Sequence, residues 1–158
     1  MNAYDARPNR LPWPPMIYLA AIVAAIVLTW ALPLPWIPSP LSDILFAVGI
    51  VMIAGVVAID VSAMRTLHKA RTTIMPHRGS DHLVSSGPFS FSRNPIYLAN
   101  TMLTFGIGLI AGSVWFILFG LVAAFATQKL AIEREERHLE ARFGKKYRDY
   151  RKKVRRWI

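Results

Sequence analysis

From Ile96 to Ile132 the chain runs 37 residues with a single charge, Lys129. A helix that long would reach roughly 55 Å at ~1.5 Å per residue, against a hydrocarbon core of ~30 Å, so the run must fold back on itself. The least costly turn is "GIGLIAGS", Gly106 to Ser113, where glycines cluster without a positive charge; this predicts helices over about 96–110 and 114–132.

Two apolar segments precede it. Met16 to Leu32 carries no charge, and Asp43 to Met64 is interrupted only by Asp60; Pro33, Pro35, Pro38 and Pro40 lie between them. Both are near the ~20 residues a membrane helix needs, and the proline-rich link predicts that they form a hairpin. The expected fold class is an all-α integral membrane protein with four transmembrane helices in two hairpins and a C-terminal amphipathic segment. Residues 1–158 then form one domain: an arm (1–15), a first hairpin (16–64), a loop (65–95), a second hairpin (96–132) and a tail (133–158). A cleavable signal peptide is the competing reading of residues 1–32, but "RLPWPP" before the segment and prolines after it are the wrong flanks.

Composition supports the membrane reading, with 54% hydrophobic residues in the chain. The net charge of +10 raises nucleic acid as a partner, yet all 19 Lys and Arg lie before Met16, between Met64 and Ile96, or from Lys129 onward. That one-sided distribution points to lipid headgroups instead, and it predicts that both termini are cytoplasmic. The absence of cysteine removes disulfides, thiolate metal sites and cysteine nucleophiles.

Within the tail, Leu139, Phe143, Tyr147, Tyr150, Val154 and Trp157 recur at spacings of three and four. This predicts a pair of amphipathic helices broken near Gly144, with a basic outer face against the membrane surface or, alternatively, in water.

The candidate chemistry stands where the second hairpin begins and ends. In "FSRNPIYLAN", Pro95 suits the first turn of a helix and holds Asn94 extended, which places Arg93 and Tyr97 at the helix mouth. In "IEREERHLEARFG", Glu133 has Arg137 four residues on, whereas Glu135 and Glu136 fall on the apolar stripe with Ile132 and Leu139. Inward carboxylates need partners. The hairpin returns them to the face that carries Arg93, so two readings stand: a buried salt bridge that staples the hairpin, or a site for a ligand carrying both signs of charge. The loop "RTTIMPHRGSDHLVSSGPFSFSRNP" is long and rich in His, Ser, Gly and Pro, as functional loops often are. His68, His77 and His82 lack a metal-binding spacing, and neither a dinucleotide fingerprint nor a P-loop nor GxSxG occurs.

Together, "HLVSSGPFSFSRNPIYLAN", the hydrophobic hairpin and "EREERHLEARFGKKYRDYRKKVRRWI" resemble the bacterial branch of the isoprenylcysteine carboxyl methyltransferase family, which is related to the phospholipid N-methyltransferases. The resemblance covers Arg71 to the C-terminus. It implies S-adenosylmethionine as methyl donor, held at the cytoplasmic end of the last hairpin under the C-terminal segment, in a bacterial inner membrane. It also implies a lipid-like or small apolar acceptor entering from the membrane. Arg93, Pro95 and Tyr97 match the family's Arg-His-Pro-x-Tyr motif and Glu135 and Glu136 its Glu-Glu pair. The cofactor set implied is His82, Leu83, Val84, Gly87, Arg93, Asn94, Pro95, Tyr97, Glu135 and Glu136, with Arg93 and Glu136 catalytic and no metal.

Two positions depart from that motif. Asn94 replaces histidine and Ala99 a common glycine; Asn-Pro is the form in phospholipid methyltransferases, whose small-residue motif on the preceding helix is here "DVSAM". The acceptor group, carboxylate or amine, is left open. An amine would have to lose a proton, to Glu136 or a loop histidine. An NADPH-dependent membrane reductase and a non-catalytic membrane scaffold are the alternatives.

Overall fold

The computed structural model describes residues 13–70 and 83–158, and all regular structure among them is helical. The elements are α1 (Trp13–Ala31), α2 (Leu41–Lys69), a short 3-10 turn (Gly87–Ser90), α3 (Pro95–Ala111), α4 (Val114–Thr127), a π turn (Gln128–Ile132), α5 (Glu133–Phe143) and α6 (Lys145–Lys153). Since α4, the π turn and α5 run on without a break, the described residues include three helices long and apolar enough to cross a membrane: Pro14–Ala31, Leu41–Lys69 and Val114–Phe143. The shorter α3, 17 residues long, extends about 25 Å at ~1.5 Å per residue.

The expected turn in the long apolar run is present. Helix α3 ends at Gly112 in the left-handed conformation, and α4 starts after an extended Ser113. The boundaries upstream shift outward: α1 begins three residues before Met16, with Pro14 and Pro15 in its first turn, and α2 continues past Met64 to Lys69.

The first hairpin is a correction. The two helices are joined by the proline loop but do not pack along each other; α2 lies against α3, α3 against α4, and α4 against α1. The link crosses the α3–α4 turn, where Trp36 covers Gly112 and Trp115 donates from Nε1 to the Leu32 carbonyl at 2.8 Å. Prolines keep that link extended enough to bridge the bundle instead of turning tightly.

Small residues set the helix spacing, as they must where lipid gives helices no hydrophobic reason to associate. Ala21 and Ala25 of α1 and Ala123 of α4 are buried. Where α2 meets α3, a Cβ on Gly49 would lie 2.9 Å from the Gly106 carbonyl oxygen and 2.8 Å from Ile110. Hydroxyls tie the bundle from inside: Tyr18 shares a 2.6 Å hydrogen bond with Thr101, and Thr29 shares one of 2.6 Å with Ser113. The outer surface is strongly apolar, with Val51 70% and Phe125 65% exposed, as suits contact with lipid chains.

The Gly49–Gly106 contact is testable. Gly49→Leu should force α2 from α3 and lower stability by about 1–3 kcal/mol. Gly55→Ala, whose Cβ would find only Met102 at 3.5 Å, should be neutral or slightly stabilising. Thermal unfolding of both variants in detergent makes the comparison.

Candidate functional site

Pro95 is the first residue of α3 and is fully buried, and Asn94 ahead of it is non-helical at φ −131° and ψ 56°, short of the extended conformation expected. The chain thus enters the bundle from outside with Ser92, Arg93 and Asn94 at its rim. Ser92 Oγ accepts from the Asn94 N–H at 3.1 Å, which fixes this bend.

On the other arm of the hairpin, the π turn adds a residue to the helical ladder just before α5. Ala131 and Ile132 remain fully buried, and Glu136 follows them inward. Its carboxylate takes Arg93 Nη2 on Oε1 at 2.7 Å, Arg156 Nε on Oε1 at 3.0 Å and Arg156 Nη2 on Oε2 at 2.7 Å. Two guanidiniums thus meet on one buried carboxylate. Glu135 makes a separate contact, accepting from the Tyr97 phenol at 2.7 Å.

The irregular C-terminal segment then closes over Arg93 and Asn94. Arg93 donates its backbone N–H to the Arg155 carbonyl at 3.0 Å and Nη1 to the Val154 carbonyl at 2.9 Å, while Asn94 Nδ2 donates to the Arg156 carbonyl at 3.0 Å. Trp157 Nε1 donates to Gln128 Oε1 at 2.9 Å, and the Tyr150 phenol to the Phe89 carbonyl at 2.6 Å. Burial raises the pKa of Tyr150, and burial with the nearby Glu136 charge pushes Tyr147 up to about 12, so both phenols stay neutral. The hydrogen bonds to Glu136 raise that of Arg156.

The expected residues therefore divide. Arg93, Asn94, Tyr97, Glu135 and Glu136 come together, with Pro95 as the helix start beneath them. Leu83 and Val84 are half-buried in the irregular segment that leads to the 3-10 turn. Gly87, at φ +59°, packs on α2, where a Cβ would collide with Thr66 Oγ1. His82 and the "TTIMPHR" stretch lie outside the described residues. Among the described residues no group of three or more His, Asp or Glu is arranged to hold a metal ion.

Two details differ from expectation. Glu133 pairs with Lys129 at 2.8 Å, one turn back, in place of Arg137. Arg156 was not singled out, because helical periodicity assigned the basic tail to an outer face. Helix α6 stops at Lys153, and Val154 is extended at ψ 129°, so Arg156 turns inward.

The cluster predicts a graded response. Glu136→Gln leaves the buried Arg93 and the partly exposed Arg156 guanidiniums under-compensated and should cost about 3 kcal/mol. Tyr150→Phe, which removes one neutral hydrogen bond, should cost about 1 kcal/mol. Thermal unfolding gives the order, and hydrogen exchange at residues 154–158 should rise most in Arg156→Gln.

Comparison with known proteins follows the same residues. The chain matches the phospholipid methyltransferase family over residues 44–146. It is 34% identical over 77 residues to the nickel-cobalt-cadmium resistance protein NccN of Alcaligenes xylosoxydans xylosoxydans, a match covering 49% of this chain and 36% of that protein. The chain thus spans little more than a third of that relative's length. No solved structure matches it. With its apolar helices and a family match across most of its length, the chain is an integral membrane protein that belongs to the phospholipid methyltransferase family.

Proposed function

We propose that the protein transfers a methyl group from S-adenosylmethionine to a lipid-like or small apolar acceptor, at the end of the α3–α4 hairpin where the tail closes over Arg93. The observation that carries this reading is the joining of Arg93, Tyr97, Glu135, Glu136 and Arg156 from three distant stretches of sequence into one site.

The donor set fits the cofactor. Arg93 Nε is buried without a hydrogen-bond partner, a donor suited to a carboxylate. Glu135 receives only the Tyr97 phenol and retains acceptor capacity for an ammonium or ribose hydroxyls. When bound, S-adenosylmethionine supplies a methyl group already activated by its positive sulfur, and the residues around it are left with alignment and exclusion of water. Arg93 positions the tail through the Val154 and Arg155 carbonyls, and Glu136 holds both arginines in place. An amine acceptor needs a proton acceptor. Glu136, bound by two cations, is poorly suited to that role, and Glu135, which touches only a phenol, is the better candidate.

The reading includes four membrane crossings with α3 as the shortest, both termini cytoplasmic, and the bacterial inner membrane as location. The distribution of Lys and Arg supports the orientation. Reporter fusions after Ser39 and after Ile158 should read opposite sides; a shared side would contradict it.

Cofactor binding is the deciding experiment. Purified protein should retain tritiated S-adenosylmethionine and gain thermal stability from it. Glu135→Gln should lose roughly ten- to hundredfold in affinity, for charge-assisted bonds of about 1.5–3 kcal/mol, with its ligand-free midpoint little changed. Retention of NADPH instead would indicate a reductase, and retention of neither a scaffold.

A further inference from the structure

Helix α2 turns Gly49, Val56, Ala63 and Leu67 into the bundle and leaves its opposite face uncovered. Along that face runs an open groove of 540 Å³, within the ~300–1,000 Å³ range of ligand-sized clefts. Its walls change character in one direction. Ala54, Val57, Ala58 and Val61 line the end toward the middle of the helix, and Ser62, Arg65, Thr66 and Lys69 the other. Val57 is 58% exposed, and Arg65 and Lys69 are exposed too; neither cation has an ion-pair partner among the described residues. Thr66 donates its hydroxyl to the Ser62 carbonyl at 2.8 Å, which leaves the two cations and the Ser62 hydroxyl as the side-chain donors of that end.

Position supplies the scale. Gly87 packs on Thr66, and the chain from Gly87 reaches Arg93 within two turns, so Arg65 and Lys69 lie at the same end of the bundle as the arginine–glutamate cluster. From Ala54 to Lys69 the helix rises about 22 Å. That is the depth of one leaflet with its headgroups, half of ~40–45 Å.

From these observations we propose that the outer face of α2 holds one anionic glycerophospholipid, with an acyl chain in the groove and its phosphodiester at Arg65 and Lys69. The lipid is a bound companion of the fold and not the methyl acceptor, so the inference does not depend on the methyl-transfer reading. Charge complementarity selects the occupant. Two unpaired cations at headgroup depth favour a lipid with net negative charge over a zwitterion, whose own ammonium would be repelled. Their aliphatic stems continue the apolar wall up to the charged heads.

The test counts lipid retained by the full chain in native mass spectrometry, with dioleoylphosphatidylglycerol or dioleoylphosphatidylcholine added to delipidated protein. Wild type should hold one phosphatidylglycerol in preference to phosphatidylcholine. Arg65→Gln/Lys69→Gln should weaken that binding at least about tenfold, and Ala58→Trp, which fills the groove without changing charge, should weaken it as well. Lys152→Gln/Lys153→Gln, which removes two exposed cations from α6, should leave it unchanged. The proposal is overturned by equal retention of the two lipids, by an equal loss in the α6 variant, or by an unaffected Ala58→Trp protein. A change of oligomeric state in Ala58→Trp, with lipid retention intact, would assign the face to a second copy of the chain instead.

Discussion

The Glu136 carboxylate is the point on which the charged end of the bundle depends. It receives Arg93 from the start of α3 and Arg156 from the end of the chain, which joins the hairpin and the tail through one charge. A buried carboxylate would be costly alone, and the buried Arg93 guanidinium would be costly without it. The three groups therefore belong together, and the hydrogen bonds that Arg93 and Asn94 donate to the Val154, Arg155 and Arg156 carbonyls follow from their meeting. This arrangement is the staple expected as one reading of the sequence. It coexists with a second carboxylate, Glu135, that touches no cation and keeps acceptor capacity.

Charge and lipid divide the molecule along its length. The bundle is held inside by small-residue contacts and a few hydroxyl pairs, such as Tyr18 with Thr101, and outside it offers apolar side chains. Ion pairs gather beyond Ile132 and around Arg93. Lipid would penalise unpaired charge in the first region, while the second can draw on both water and headgroups. Asp60 is the exception, a carboxylate on α2 with one oxygen buried and lacking a hydrogen-bond partner.

Much of the site could be read from the sequence because it rests on local rules. Proline at a helix start, glycine at a turn and glutamates in phase with Ile132 and Leu139 are all set by neighbours within a few residues. The packing order of the helices was not legible in this way. Adjacency in sequence suggested α1 against α2, whereas the close approach of Gly49 to Gly106 brings α2 to α3. Arg156 escaped for a related reason: its direction depends on where α6 stops, and the periodicity of the tail gives no sign that the helix ends at Lys153.

The π turn at Gln128–Ile132 gives the hairpin a property that neither arm has alone. A π turn carries one residue more than the α-helical ladder needs, and each residue advances an α-helix by about 100°. The turn therefore acts as a phase shifter between the apolar helix above and the charged helix below, each of which can keep its own regular pattern. Loss of a single residue there would leave every side chain chemically intact and rotate Glu135 and Glu136 off the arc shared with Tyr97 and Arg93. Reading frame along the helix, as much as residue identity, is what the site inherits from its sequence, and in this segment length is less free to drift than composition.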